Sequence, residues 1–155
     1  MILKGVIFED FVNYKKPCMT LEFPYCTFKC GNTLCQNSFL ANTPNIDIDI
    51  DSLIERYCGN AITSAVCFQG LEPFDSFTDL LSFITKFREK SNDDIIIYTG
   101  YYQEEISNML TYLKKYDNII IKFGRYLTNQ KSKFEPLLGV TLVSDNQYAK
   151  RIEDI

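Results

Sequence analysis

Hydrophobic residues along the chain follow two patterns, short apolar runs and longer stretches in which they recur every three or four positions. Short runs bounded by turn residues predict strands, and the recurring stretches predict amphipathic helices. Strands are expected at residues 3–8, 18–23, 61–68, 95–98, 118–123 and 139–143, and helical faces at 77–87 and 106–113. Buried strands that alternate with helices indicate a parallel sheet with right-handed crossovers.

The number of strands limits the architecture. A complete eight-unit barrel takes roughly 200 to 250 residues, whereas this chain has 155. We therefore expect one α/β domain over residues 1–155, a partial (β/α) barrel of about five or six mostly parallel strands with flanking helices. Residues 124–138 show weak periodicity and are expected to form a loop.

The segment before the first full helix has two local features. Acid and isoleucine alternate at residues 45–51, but the glycine and the last glutamate of a calcium loop are missing, so we interpret the segment as a solvated edge. Ser52 and Glu55 are expected to form a capping box, and Gly59 to end the short helix.

Charge and composition exclude several classes of protein. A net charge of -4 argues against binding a phosphate backbone, which requires a basic face. The chain has no histidine, so Ser-His-Asp and Cys-His nucleophiles and histidine-containing zinc sites are excluded. No stretch approaches the roughly 18 apolar residues of a membrane span, and residues 1–11 lack the shape of a secretory signal. We expect a cytoplasmic protein with neither a nucleic acid nor a membrane as its partner.

The six cysteines differ in their sequence context. Cys67 lies in a buried strand and Cys58 at a helix end, so both are interpreted as small core residues. Cys18 precedes the cysteine loop by one strand, which puts it about 25 Å away if that stretch is extended at about 3.3 Å per residue. The remaining cysteines fall in one loop after residues 18–23, namely Cys26, Cys30 and Cys35.

These three thiols have the spacing C-x3-C-x4-C and predict a metal site. Three cysteines without a histidine leave a zinc tetrahedron one ligand short. In a four-iron four-sulfur (4Fe-4S) cluster held by three cysteines, one iron stays open to a substrate. On spacing alone, a loop with incidental thiols or an adventitious zinc ion is an equal alternative.

Several motifs in order along the chain resemble a known family. They are Phe23-Pro24-Tyr25-Cys26-Thr27-Phe28-Lys29-Cys30, the Gln36-Asn37 pair after the third cysteine, Gly70-Leu71-Glu72-Pro73, and the shorter motifs at residues 98–101, 123–126 and 144–147. Together they resemble the radical S-adenosylmethionine (SAM) proteins. More narrowly, the chain looks like the small activating proteins of anaerobic (class III) ribonucleotide reductase, over most of its length.

Two departures from the family pattern are visible. The usual cysteine spacing is C-x3-C-x2-C with an aromatic residue before the last cysteine, whereas here the second gap has four residues and Leu34 precedes Cys35. The adenine contact assigned to that aromatic residue therefore lacks a counterpart. The Gly-Gly-Glu-Pro motif has lost one glycine and kept its acid, Glu72.

The resemblance implies a cofactor set and a reaction. Cys26, Cys30 and Cys35 would hold a 4Fe-4S cluster whose open iron binds SAM, and reduction would cleave SAM to methionine and a 5′-deoxyadenosyl radical. Glu72 would accept a hydrogen bond from the ammonium group of SAM. Further candidates for cofactor binding are Gly70, Asn37, Tyr98 and Thr99, and no protein side chain is assigned a catalytic role. Lys122 and Arg125 rank below them as contacts of the SAM carboxylate, because cations at strand ends are usually solvated.

The resemblance also implies partners. A partial barrel leaves its radical site open, and the protein substrate would be the large subunit of anaerobic ribonucleotide reductase, which would receive a glycyl radical. An external one-electron donor would reduce the cluster. The alternatives are another small radical SAM enzyme, either an activator of a different glycyl radical enzyme or a 7-carboxy-7-deazaguanine synthase, and a non-catalytic interaction module that binds zinc.

Overall fold

A computed structural model of the chain describes residues 1–31 and 33–155. The strands are β1 (Ile2–Leu3), β2 (Gly5–Asp10), β3 (Cys18–Phe23), β4 (Ile46–Asp47), β5 (Ala65–Gly70), β6 (Asp94–Tyr98), β7 (Ile119–Phe123), β8 (Lys133–Glu135), β9 (Val140–Leu142) and β10 (Tyr148–Arg151). The α-helices are α1 (Ile50–Cys58), α2 (Phe77–Arg88) and α3 (Ser107–Leu113). Short 3₁₀ turns, Pro73–Ser76 and Gln103–Ile106, lead into α2 and α3. None of the helices in these residues has the length and apolar character needed to cross a membrane.

A six-stranded sheet forms the centre of the fold, in the order β10-β7-β6-β5-β3-β2. The four inner strands, β3, β5, β6 and β7, run parallel to one another. The outer strands β2 and β10 are antiparallel to their neighbours. The predicted fold class is confirmed: the protein is α/β, with a largely parallel sheet and flanking helices. In the described part of the chain the sheet stays open and does not close into a barrel.

Elements near the C-terminal end differ from the prediction. Residues 139–143 do contain a strand, β9, but it pairs with β8 in a separate hairpin and not with the central sheet. β8 itself lies within residues 124–138, which were expected to be a loop. The sixth strand of the sheet is β10, which the apolar pattern misses because Tyr-Ala-Lys-Arg is an edge strand with every residue only half-buried.

The start of α1 also differs from the prediction. The N-cap is Asp49, whose carboxylate accepts hydrogen bonds from the Ser52 N–H at 2.9 Å and the Ser52 hydroxyl at 3.1 Å. The predicted capping box of Ser52 and Glu55 is therefore wrong, because the nearby aspartate satisfies the first turn instead. Gly59 ends the helix as predicted. The solvated edge segment before it pairs through exposed β4 with β1.

One face of the sheet packs against the helices and contains the larger apolar cluster. Leu80, Phe83, Ile84 and Phe87 project from α2 into this cluster and are fully buried. Phe83 meets Phe68 of β5 edge-to-face, with ring centroids 5.3 Å apart. Burial of each side chain of this size stabilises the fold by about 1.5–3 kcal/mol. Packing on this face therefore holds the helices against the sheet.

The opposite face carries a smaller cluster: Cys18, Ala65, Cys67, Ile96 and Ile120 from the strands, covered by Tyr14, Leu138 and Leu142. Side chains on one face of a strand recur every second residue. The next positions on this face, toward the carboxyl ends, are Tyr98 of β6 and Lys122 of β7, which pair in register. The apolar layer therefore ends in polar side chains at the carboxyl edge of the sheet.

Candidate metal centre

Three cysteine side chains face one cavity at this carboxyl edge. β3 ends at Phe23, before Pro24, and the loop that follows carries Cys26, Cys30 and Cys35. All three are free thiols of intermediate exposure. All three line a cavity of about 350 Å³. The structure therefore brings the three candidate ligands to a single place, on the side where the parallel strands end.

Burial favours the neutral thiol form of Cys26 and Cys30. Burial raises the pKa of the Cys26 thiol to about 11, against the hydrogen bond that the Phe28 N–H donates to its sulfur at 3.1 Å. Burial likewise raises the pKa of Cys30, and the neighbouring Cys35 adds to the effect. Since thiolates are the metal ligands, binding at this loop releases protons.

The loop has two parts with different contacts, and we call residues 26–30 the proximal segment. Its Thr27 N–H donates to Asp75 Oδ2 at 2.9 Å, and the hydroxyl of Tyr101 donates to Asp75 Oδ1 at 2.6 Å. The ammonium of Lys29 lies 3.3 Å from Glu105 Oε1 and 4.7 Å from the centre of the Tyr101 ring. The proximal segment is thus fastened to the turns that begin α2 and α3.

We call residues 33–37 the distal segment. The N–H groups of Leu34 and Cys35 both donate to the Gly31 carbonyl at 3.1 Å, so these bonds stay within the loop. A link to the sheet comes from the side chain of Asn37, which donates to the Gly70 carbonyl at 3.0 Å. The distal segment is therefore bonded mainly to the loop itself.

Glu72 lies beside the cavity with only 3 % of its surface exposed. Its Oε1 accepts hydrogen bonds from the Thr99 hydroxyl at 2.8 Å and the Phe74 N–H at 3.2 Å, and its Oε2 accepts from the Gly100 N–H at 2.9 Å. Burial raises the pKa of Glu72 to about 7 in spite of these bonds. One lone pair on Oε2 remains for a ligand, because a carboxylate oxygen accepts two bonds.

Lys122 is a second buried charge on the cavity wall, with 7 % of its surface exposed. Its ammonium donates to the Gly124 carbonyl at 2.9 Å and lies 6.0 Å from the centre of the Tyr98 ring. Burial lowers the pKa of Lys122 to about 8, and the negative charge of Glu72 opposes the shift. The hydroxyl of Tyr98 donates to the Asn13 carbonyl at 2.6 Å. The cavity wall therefore carries one buried acidic group and one buried basic group.

Gly70 ends β5 where the backbone must turn into the cavity. Its φ is +98°, and a Cβ there would stand 2.5 Å from the Phe23 nitrogen. A larger residue would push β5 away from β3, so the close approach of the two strands needs glycine. Gly70, Asn37, Tyr98 and Thr99, the other candidates for cofactor binding, line the same cavity as Glu72.

The remaining cysteines lie away from this cavity. Cys18 starts β3, at the far end of that strand from the loop, and is fully buried on the same face as Cys67. Cys58 is exposed, so its interpretation as a core residue is wrong. The physical reason is its place in α1: Leu53, Ile54 and Tyr57 take the buried face, and the next residue along turns toward solvent.

The structure also places at the cavity side chains that sequence reasoning undervalued or missed. As strand-end cations, Lys122 and Arg125 rank low in the sequence, but both line the cavity and Lys122 is buried. The apolar neighbours Ile121 and Phe123 could have signalled this burial. Asn13 and Gln147 line the cavity too. Gln147 falls in one of the family-like motifs, whereas nothing in the sequence marks Asn13.

The side-chain chemistry of the loop fits an iron-sulfur cluster. Among residues 1–31 and 33–155, no three histidine, cysteine, aspartate or glutamate side chains lie close enough together to ligate a single metal ion. The three loop thiols instead face a shared cavity of about 350 Å³. Thiolates are the usual ligands of iron-sulfur clusters.

Comparison with known families gives the class of protein. Residues 18–147 match the model of the 4Fe-4S single cluster domain. This chain belongs to that family and carries an iron-sulfur cluster domain, which accords with the three thiols around the cavity. No curated protein matches the chain, and no solved structure does.

Proposed function

We propose that this protein is a radical SAM activating enzyme, and that it generates a glycyl radical on anaerobic ribonucleoside-triphosphate reductase. Its 4Fe-4S cluster would be held by Cys26, Cys30 and Cys35. The observation that carries the proposal is the cavity itself, because three thiols, a buried carboxylate and a buried ammonium share it. Three protein ligands for four irons leave one iron for the substrate. The bound cluster would supply the electron that cleaves the carbon–sulfur bond of SAM.

The two buried charges match the amino-acid end of SAM. Glu72 would accept a hydrogen bond from the ammonium group, using the free lone pair on Oε2. Lys122 would face the carboxylate, since its ammonium lies at the cavity wall and donates there only to the Gly124 carbonyl within the described residues. Asn37, Gly70, Tyr98 and Thr99 complete this side of the cavity. Each end of a bound zwitterion would therefore meet a buried group of the opposite charge.

The open side of the cavity favours a macromolecular substrate. Val12 and Val143 line the cavity, yet 77 % and 42 % of their surfaces are exposed. Apolar side chains at the mouth of a polar site gain stability when another protein covers them. A partner that presents a backbone glycine would close this side, and an external one-electron donor would reduce the cluster.

The decisive experiment begins with anaerobic reconstitution of the chain with iron and sulfide. We expect about four irons per chain, following the cluster type, and an electron paramagnetic resonance signal of the reduced cluster that changes when SAM is added. Cys58→Ser is the matched control, because Cys58 is exposed and lies outside the cavity. An unchanged signal with SAM would rule out an open iron, and a colourless protein with stoichiometric zinc would favour the interaction module.

A second step tests the partner. The reduced protein is incubated with SAM and the large subunit of an anaerobic ribonucleotide reductase, and a glycyl radical signal is sought on that subunit. We expect the signal with the wild-type chain and its loss with Glu72→Gln. A SAM-responsive cluster without any radical on this partner would move the assignment to another small radical SAM enzyme.

A further inference from the structure

Glu105 joins the cysteine loop to the cavity wall. Its Oε1 accepts hydrogen bonds from Lys29, which lies between Cys26 and Cys30, and from Arg125, which lines the cavity. Lys29, Glu105 and Arg125 come from three separate stretches of the chain, after β3, β6 and β7. One carboxylate therefore connects the proximal segment to the side of the cavity formed by β6 and β7.

The carboxylate of Glu105 is itself held in place. Its Oε2 accepts a hydrogen bond from the Tyr102 N–H at 2.8 Å, which closes the turn that begins before α3. The guanidinium of Arg125 lies 4.9 Å from the centre of the Tyr102 ring. Asn146 donates to both the Arg125 carbonyl and the Tyr102 hydroxyl. The Glu105 carboxylate and the Arg125 guanidinium are therefore held in place in the ligand-free protein.

Glu105 stays ionised across the physiological pH range. Partial burial acts to raise its pKa, but the hydrogen bonds from Tyr102, Arg125 and Lys29 lower the pKa to about 2. The three side chains remain partly exposed, at 26 % for Glu105, 17 % for Arg125 and 49 % for Lys29. Ion pairs of this exposure contribute little to global stability, so their effect is on geometry and charge.

We propose that Glu105 is a positioning residue for the cluster: it holds the proximal segment against the cavity wall and neutralises one of two cations beside the cluster. This inference rests on the assignment of Cys26, Cys30 and Cys35 as cluster ligands. Without the Glu105 carboxylate, Lys29 is free to leave the Tyr101 ring. The backbone between Cys26 and Cys30 then loses one of its anchors, and the bonds from Thr27 to Asp75 and Tyr101 remain.

The charge balance gives a direction for the reduction potential. Lys29, Glu105 and Arg125 together carry one net positive charge. Because reduction adds an electron, extra positive charge near a cluster favours the reduced form and raises the midpoint potential. Glu105→Gln removes a negative charge and so raises the net charge of the three side chains by one, whereas Lys29→Gln lowers it by one. The two variants should therefore shift the midpoint in opposite directions.

The first test is a potentiometric titration of the reconstituted protein, followed by electron paramagnetic resonance. We expect Glu105→Gln to change the ratio of reduced to oxidised cluster at fixed potential about threefold, which is about 30 mV toward positive values for one electron. Lys29→Gln should move the midpoint the other way. Glu104→Gln is the matched control, because it makes the same charge change in the same turn, and Glu104 has no ion pair among the described residues.

The second test uses the cluster-free chain and hydrogen–deuterium exchange read by mass spectrometry. We expect Glu105→Gln to speed exchange in the peptide covering residues 27–31 about threefold, since a segment opens more often when one of its anchoring ion pairs is removed. Exchange in residues 33–38 and in the Glu104→Gln chain should stay at the wild-type rate.

This readout separates the inference from the proposed function: if the chain forms no SAM-responsive cluster, the proposed function fails and exchange alone decides the role of Glu105. Identical exchange and identical potential in Glu105→Gln and Glu104→Gln would overturn it.

Discussion

The two segments of the cysteine loop are held by different means. The proximal segment, residues 26–30, is fastened to other parts of the fold by Asp75, Tyr101 and Glu105. The distal segment, residues 33–37, bonds mostly to the loop itself and reaches the sheet through Asn37. Two of the three thiols therefore lie in a segment bonded to the turns before α2 and α3, and the third lies in a segment whose described backbone bonds are local.

This difference explains how the unusual cysteine spacing is accommodated. Compared with the C-x3-C-x2-C spacing of the radical SAM proteins that the sequence resembles, the additional residues fall between Cys30 and Cys35, beyond the proximal segment. Added length in a loop costs little when its backbone bonds are local. A longer gap between Cys26 and Cys30 would instead have displaced the bonds to Asp75 and Glu105. The added length therefore falls outside the segment that Asp75 and Glu105 hold.

The largest effect should come from the thiols themselves. We expect Cys30→Ser to abolish retention of the cluster, because hydroxyl is a poor ligand for iron and two thiolates do not hold four irons. Cys58→Ser should keep the wild-type iron content. The measurement is iron and sulfide per chain after anaerobic reconstitution and desalting. Wild-type iron in Cys30→Ser would show that the proximal segment is not where the cluster binds.

The next effect concerns Glu72, whose N–H anchors the start of the proximal segment by donating to the Tyr25 carbonyl at 2.8 Å. Its pKa rises from 4.5 to about 7 on folding. Between these values the folded chain binds more protons than the unfolded chain, so this group lowers the free energy of unfolding as the pH rises. Relative to Glu72→Gln, the cluster-free wild type should lose of the order of 3 kcal/mol from pH 4.5 to 7.

Urea unfolding of both chains across this pH range measures the effect. Lys122 faces Glu72, and its pKa of about 8 keeps it protonated below pH 7 in the wild type. The comparison is repeated in a Lys122→Met background, where loss of that cation should leave the direction unchanged. Parallel pH dependences in wild type and Glu72→Gln would contradict the raised pKa.

A smaller effect should come from Asp75, and it should distinguish the proximal segment from the distal segment. Asp75→Asn removes the negative charge that strengthens the bonds from the Thr27 N–H and the Tyr101 hydroxyl. We expect a loss of about 1 kcal/mol in local stability. Amide exchange in residues 27–31 should rise about fivefold, and exchange in residues 33–38 should not change. Asp79→Asn is the control, since Asp79 lies on α2 and bonds to Ile2. Equal acceleration in both segments would mean that the loop opens as one unit.

The smallest effect should come from Asn37. Asn37→Ala removes the bond to the Gly70 carbonyl and should cost about 0.5–1 kcal/mol. Because the bond belongs to the distal segment, exchange in residues 33–38 should rise about threefold while residues 27–31 keep the wild-type rate. The exposed Asn45 provides the control substitution, Asn45→Ala. Faster exchange in residues 27–31 would break the distinction between the segments.

The sequence predicts the inner sheet well because its strands are apolar on both faces. β3 has the predicted bounds, and β5, β6 and β7 fall within a few residues of theirs. β10 escapes prediction because an edge strand needs no apolar run, and the pairing of β9 depends on contacts far away in the chain. Local pattern therefore reveals which segments are strands and not which sheet an exposed strand joins.

In the candidate site, too, some positions can be predicted from local sequence and others depend on distant contacts. Cys26, Glu72 and Tyr98 each come directly after or at the end of a strand, and the carboxyl ends of parallel strands meet at one edge. Asn13 reaches the cavity for a different reason, because Asp10 holds its side chain at 2.6 Å within a turn that the sequence pattern does not specify. Lys122 likewise shares the cavity wall with Leu142 and Gln147, which are distant from it in sequence. Contacts between distant parts of the chain decide where the Asn13 and Lys122 side chains lie.

The cavity also has a consequence for the order of assembly. The three thiols lie within one short loop, whereas the cavity is lined by residues from Val12 to Gln147. Contacts between residues close in sequence form early, and those between distant residues form only when the sheet is complete. The nascent chain can therefore gather its sulfur ligands long before the cavity around them is complete. We expect iron capture by the loop and ligand binding in the finished cavity to be separate events in the maturation of this protein.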